Sequence, residues 1–156
     1  DAAVFARTTS LIQPHGATTS VSVSDDDARI QRDFVFAYLS RSYWAEGRSR
    51  ETFDRSLDHS LNFGLYLEPS GEQVAFARFI TDRATFAYLC DVFVIEAHQG
   101  RGFAKHMLEV ALEHPYLQNL RFISLGTRDA HGLYERLGFT RPAAPERLME
   151  RRRPNH

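Results

Sequence analysis

The patterned part of the chain begins at residues 19–23, TSVSV, where polar and apolar positions alternate as on a half-buried strand. Ser24, with Asp27 three residues later, resembles a helix start in which Asp replaces the usual Glu or Gln of a capping box. Ile30, Phe34, Ala37 and Tyr38 then recur at helical spacing, and the pattern fades near Ser40. Gly47 separates this helix from a second one, which starts near Ser49 and places Phe53 and Leu57 on one face. The period then drops to two. In NFGLYLE, Phe63, Leu65 and Leu67 alternate with Asn62, Gly64 and Tyr66. EPSGEQ is turn chemistry, and QVAFARFI sets Val74, Phe76, Arg78 and Ile80 on one side of a strand. TDRA is a tight link to TFAYLCDVFVI, whose apolar residues on both faces predict a central strand covered on both sides. Three such runs joined by short turns predict an antiparallel meander.

Beyond HQGRG, Phe103, Met107, Leu108, Ala111 and Leu112 form the apolar stripe of a helix that Pro115 ends. RFISLGT reads as a strand. DAHGLYERLGF reads as a short helix with Leu133 and Leu137 inward and Gly138 at its C-terminal cap. FTRP and RLMERRR are candidates for the last two strands. The resulting order, β-αα-βββ-α-β-α-ββ, is α+β: a mixed, mostly antiparallel sheet flanked by helices. Residues 1–17 are expected to be an N-terminal extension, in part disordered, and residues 18–156 a single domain.

Composition narrows the function classes. The length of 156 residues suffices for one core, and 43% hydrophobic with 25% charged residues is ordinary for a globular chain. A net charge of -1 gives no footprint for nucleic acid or an anionic membrane. No apolar run approaches the roughly 20 residues needed to span a bilayer. The single cysteine, Cys90, rules out an internal disulfide framework and suits a reducing, cytoplasmic setting. The seven histidines show no metal-ligand spacing, so no metal is expected. Ser56, Asp58 and His59 point in different directions on a helix and form no triad.

The chemistry concentrates at HQGRGFA. Gly100, Gly102 and Ala104 leave the junction between strand and helix nearly bare, flanked by Gln99, Arg101 and Lys105. The first amides of a helix lack internal partners and carry partial positive charge, so a diphosphate can dock where small residues let the backbone come close. An ordinary glycine-rich turn is the alternative. The segment is not a P-loop, because no Lys-Ser or Lys-Thr pair follows the last glycine, and not a dinucleotide fingerprint, because Lys105 stands where the third glycine would fall. A second segment, A-x-x-L-Y-x-x-x-G-F, runs from Ala130 to Phe139.

The two segments together resemble the GNAT superfamily of N-acyltransferases. Its Q/R-x-x-G-x-G/A motif is matched by Gln99, Gly102 and Ala104, its later motif by Ala130, Leu133, Tyr134, Gly138 and Phe139, and its element order by the one above. The resemblance implies acetyl-CoA or another acyl-CoA as donor, with no metal. It implies that backbone of Val92, Phe93 and Val94 binds the pantetheine arm and acyl carbonyl. Gln99, Gly100, Arg101, Gly102, Phe103 and Ala104 would bind the pyrophosphate, and Tyr134 would protonate the departing thiolate. Thr127 stands where the family often has Asn; it can hydrogen-bond the cofactor but offers no amide. The implied activity is direct transfer of an acetyl group to a primary amine, on a small molecule or a protein. The alternative is a non-catalytic acyl-CoA-binding sensor or interaction module of the same fold. Homodimers are common among relatives.

The base that deprotonates the amine is open at this stage. Asp91 is a carboxylate inside an apolar strand, where burial raises a pKa toward a useful range. It can equally be paired with a neighbour such as Arg78, and a water chain can serve instead. Tyr38, Tyr43 and Trp44 fall where the first two helices meet, and either pack in the core or line the acceptor site.

Overall fold

The structure, a computed structural model, describes residues 3–154. The chain divides into two compact units, Asp1–Gly126 and Thr127–His156. The first unit holds a six-stranded sheet, β1 (Ala6–Ile12), β2 (Thr18–Ser24), β3 (Leu61–Leu67), β4 (Gln73–Thr81), β5 (Phe86–Val94) and β6 (Phe122–Leu125), in that spatial order. All neighbours are antiparallel except β5 and β6. A parallel pair needs a crossover, and α3 (Phe103–Ala111) supplies it. Between β2 and β3 run α1 (Arg32–Leu39) and α2 (Arg50–Asp58). The second unit carries one short helix, α4 (His131–Glu135). This is the expected mixed sheet flanked by helices.

Four elements differ from the expectation, each for a local physical reason. Residues 6–12, set apart as extension, form the edge strand β1 and pair with β2 from Ala6↔Ser24 to Ile12↔Thr18. The strand exposes most of its side chains, so it lacks the buried face that a hydrophobic pattern reports. Helix α1 begins at Arg32, not at Ser24, because Ser24 is spent in the β2 ladder and the chain first makes a single 3-10 turn capped by Asp26, whose carboxylate accepts from the Ala28 amide at 3.0 Å. FTRP and RLMERRR are not strands. Pro142 and Pro145 lack ladder donors, and residues 145–147 form a 3-10 turn instead. Finally, β5 is not covered on both faces throughout: Phe86 and Tyr88 are 36% and 38% exposed. The helices α1 and α2 reach only its far end, where Phe93 joins Val35, Leu39, Phe53, Leu57 and Phe76 in one cluster.

The remaining signals acted locally, as read. Ser49 caps α2 by accepting from the Thr52 amide at 3.1 Å. The TDRA link is an Asp-centred turn: the Asp82 carboxylate accepts from the Thr85 hydroxyl and from the amides of Thr85 and Ala84, which hold it well below the usual carboxylate range. Helix α3 lays Phe103, Met107, Leu108, Val110 and Ala111 against β2, β3, β4 and β5.

One core position is suboptimal. Tyr66 is fully buried, its hydroxyl has no hydrogen-bond partner among the described residues, and burial pushes that hydroxyl's pKa far up. The ring folds back over Gly64, where a Cβ would lie 2.3 Å from the tyrosine oxygen. An unsatisfied buried polar group costs about 1–3 kcal/mol. Tyr66→Phe is therefore expected to raise unfolding free energy by about 1 kcal/mol in urea titration; a clear loss would mean that the hydroxyl is satisfied by an ordered water.

Candidate active site

Strand β5 is bent in its last third. Cys90 faces Arg78 and Phe93 faces Phe76, so Asp91 and Val92 together oppose Ala77 and form a bulge. Asp91 takes the left-handed conformation, φ 56°, that this bulge requires. The neighbour β6 follows β5 only to Leu89↔Leu125. Past that point, residues 90–94 have β4 on one side and, among the described residues, no strand on the other. Val92, Phe93 and Val94 lie on this stretch, beyond the end of the β5–β6 ladder.

A 3-10 turn, Glu96–His98, links the end of β5 to the glycine loop. Gly100 and Gly102 both have positive φ, 76° and 81°, which any other residue adopts only with strain. A Cβ at either would meet nothing within 4 Å, so the glycines serve backbone conformation and openness rather than tight packing. Gly102 is the N-cap of α3 and has no side chain to cap it. The first-turn amides of Phe103, Ala104 and Lys105 have no intrahelical partner, and the dipole adds positive potential there.

The side chains expected to add donors are engaged elsewhere. Gln99 Nε2 donates to the Val94 carbonyl at 2.9 Å, tying the loop to the end of β5. Arg101 turns to the β1–β2 hairpin, with Nε donating to Gln13 Oε1 at 2.7 Å and Nη2 to Thr19 Oγ1 at 2.9 Å. What the loop leaves uncommitted at the start of α3 is therefore main chain.

Asp91 is not a free base. It is buried, and its carboxylate accepts from Arg78 Nε at 2.9 Å and from Arg48 Nη1 at 2.9 Å and Nη2 at 3.4 Å. Both carboxylate oxygens are thus taken up in a buried cluster with two guanidiniums. The pairing with Arg78 is the alternative the sequence had left open; Arg48, which fastens the α1–α2 loop to the bulge, was not foreseen. Cys90, beside this cluster, has its thiol pushed up to about 11 by burial, which makes it a poor nucleophile.

The aromatic residues of the α1–α2 segment separate. Tyr38 stacks on Phe93, with ring centroids 4.0 Å apart and planes at 8°. Tyr43 and Trp44 pack edge to face on one another and stay 48% and 40% exposed. They are surface residues.

In the second unit, Thr127 Oγ1 accepts from the Ala130 amide at 3.0 Å and so organises the start of α4. This acceptor role leaves its hydroxyl proton available. Tyr134 is largely buried and packs on Phe139 at 5.9 Å, with the Phe139 amide closing onto the Tyr134 carbonyl at 3.0 Å.

Comparison with known proteins accounts for this arrangement. Residues 28–139 match the Acetyltransferase (GNAT) family. A Gibberella zeae protein named as an acetyltransferase, FG08082, is 35% identical over 133 residues, covering 72% of this chain and 74% of that one. The crystal structure of a Xanthomonas campestris protein assigned by name to the GNAT acetyltransferases is 48% identical, with a TM-score of 0.81, over 86% of this chain and 94% of that one. An acetyltransferase structure from Clostridium acetobutylicum shares the fold, with 15% identity and a TM-score of 0.57 over 96% of each chain. The match over most of the chain, together with the split β5–β6 pair and the glycine-capped α3, places this protein in the GNAT family of acetyltransferases.

Proposed function

We propose that the protein transfers an acetyl group from acetyl-CoA directly to a primary amine. The observation that carries this reading is that the last residues of β5, beyond its ladder with β6, run through one short turn into the uncapped start of α3. A pantetheine arm can lie along the first as an added strand, while the pyrophosphate meets the second. The Clostridium acetobutylicum relative of the same fold is described with acetyl-CoA. In this reading, backbone amides of 92–94 polarise the thioester carbonyl and stabilise the oxyanion that forms there. Tyr134 supplies the proton to the leaving thiolate, a task suited to a phenol that is protonated at neutral pH. Because both Asp91 oxygens already accept from Arg48 and Arg78, we assign the amine proton to water rather than to that carboxylate. Thr127 supports α4, and its remaining hydroxyl proton is directed to the cofactor. The acceptor enters beside Tyr38 and Phe93. One cysteine with a weakly acidic thiol fits a cytoplasmic enzyme.

The test is a thiol-release assay with acetyl-CoA against a library of amines, alongside a thermal shift with acetyl-CoA alone. Saturating ligand at a hundred times Kd is expected to stabilise the fold by about 2.7 kcal/mol. Binding without turnover on any amine would favour a sensor module; no shift at all would remove the cofactor assignment. Gly102→Glu separates binding from folding. The added side chain has room but costs about 1 kcal/mol in left-handed strain. It also puts a carboxylate at the anion site, so affinity is expected to fall by about tenfold or more. Gly102→Ala, which carries the strain without the charge, should lose far less.

A further inference from the structure

We propose that Arg101 is a positioning residue that locks the glycine loop to the β1–β2 hairpin, making Gln13 and Thr19 part of the coenzyme-binding apparatus. The inference rests on the reading of that loop as a pyrophosphate cradle. Arg101 is the one residue between the two left-handed glycines, Gly100 and Gly102. Fixing it fixes the conformation of both. Its guanidinium is held on three sides: Nε by Gln13 Oε1 at 2.7 Å, Nη2 by Thr19 Oγ1 at 2.9 Å, and Nη1 by His98 Nδ1 at 2.7 Å. Arginine has no acceptor, so His98 must present its Nδ1 lone pair. The guanidinium also lies over the Phe103 ring, 4.8 Å from its centroid, and the His98 ring stacks near the same phenylalanine.

The hairpin is built to receive this contact. Gln13 sits in its turn, with its amide donating to Ala17 O and its carbonyl accepting from Gly16, both at 2.8 Å. Its side chain is nonetheless buried, only 3% exposed, and its Oε1 is the acceptor for Arg101. Thr19 belongs to β2, so the strut is anchored in the sheet. Glycines lose more backbone freedom on ordering than other residues, and a loop with two of them would be mobile if left free. The strut orders the loop in the absence of ligand, so its amides meet the phosphates already aligned.

The experiment compares Arg101→Ala, Arg101→Lys, Thr19→Val and the double variant Arg101→Ala/Thr19→Val. Readouts are KM for acetyl-CoA, kcat, and hydrogen exchange at residues 100–105 in the free protein. Arg101→Ala is expected to raise KM about tenfold, with kcat changing by less than about threefold. Thr19→Val should raise KM about threefold, and the double variant should be no worse than Arg101→Ala, since both remove one strut. Lysine should rescue little, because a single ammonium cannot reproduce the fork. Loop amides should exchange faster in each variant while those of β3 and β4 do not. Weaker binding in Arg101→Ala with no effect of Thr19→Val would overturn the strut in favour of direct phosphate contact, as would unchanged loop exchange. If the wild type shows no affinity for acetyl-CoA, the cradle reading fails; the exchange data on the free protein still judge the strut.

Discussion

Tyr134→Phe is expected to lower kcat by about a hundredfold or more while leaving KM for acetyl-CoA within a few-fold of the wild type. The substitution removes one hydroxyl and retains the ring, so the packing on Phe139 and the local α4 hydrogen bonds are preserved. What is lost is the proton for a thiolate, a group needed only as the C–S bond breaks. An interaction made only in the transition state shows in kcat and kcat/KM together. A donor chosen for pantetheine binding would instead raise KM alone. Unchanged turnover in Tyr134→Phe would take the residue out of the mechanism and leave its hydroxyl a structural group.

Asp91→Ala is expected to cost about 3–5 kcal/mol of stability, the range for removing one member of a buried ion pair. The carboxylate is 1% exposed, and its partners Arg78 and Arg48 are 9% and 20% exposed, so neither can reach full hydration when left alone. The loss also frees the α1–α2 loop from the bulge, because Arg48 has both terminal nitrogens on Asp91. Asp91→Asn should cost less. Asparagine tolerates the left-handed backbone and keeps one acceptor oxygen. Urea titration of the two variants checks this order. The same pair decides the catalytic question: a fully stable Asp91→Asn with turnover reduced a hundredfold would return Asp91 to the role of base.

The features legible in the sequence were those encoded over a few residues. The strands of the meander showed as alternation at Phe63–Leu67 and Gln73–Ile80, α3 as the stripe from Phe103 to Leu112, and α2 through the Ser49 cap. The bare helix start at Gly102 was visible for the same reason, since a glycine marks a backbone need at its own position. Two local motifs in order then sufficed for the family. Edge strand β1 was missed because it buries too little for a pattern to form, and the C-terminal strands were overread from short runs, the first ending in Pro142 and the second beginning inside the 3-10 turn Pro145–Arg147.

The partners of charged side chains were a different matter. Asp91 and Arg78 are 13 residues apart on neighbouring strands, one step off register at the bulge, which made that pair imaginable; Arg48 lies 43 residues away and is brought there by the α1–α2 segment, whose Tyr38 stacks on Phe93. Arg101 looked like a phosphate ligand by its place beside the glycines, yet Gln13 and Thr19, 88 and 82 residues earlier, claim its guanidinium. Sequence by itself determined where the strands, helices and the bare glycine loop fall, because glycine, periodicity and capping act within a turn or a strand. Only the tertiary structure decided which partners the charged side chains take, because hydrogen-bond acceptors and counter-charges are supplied from wherever in the chain the fold brings them.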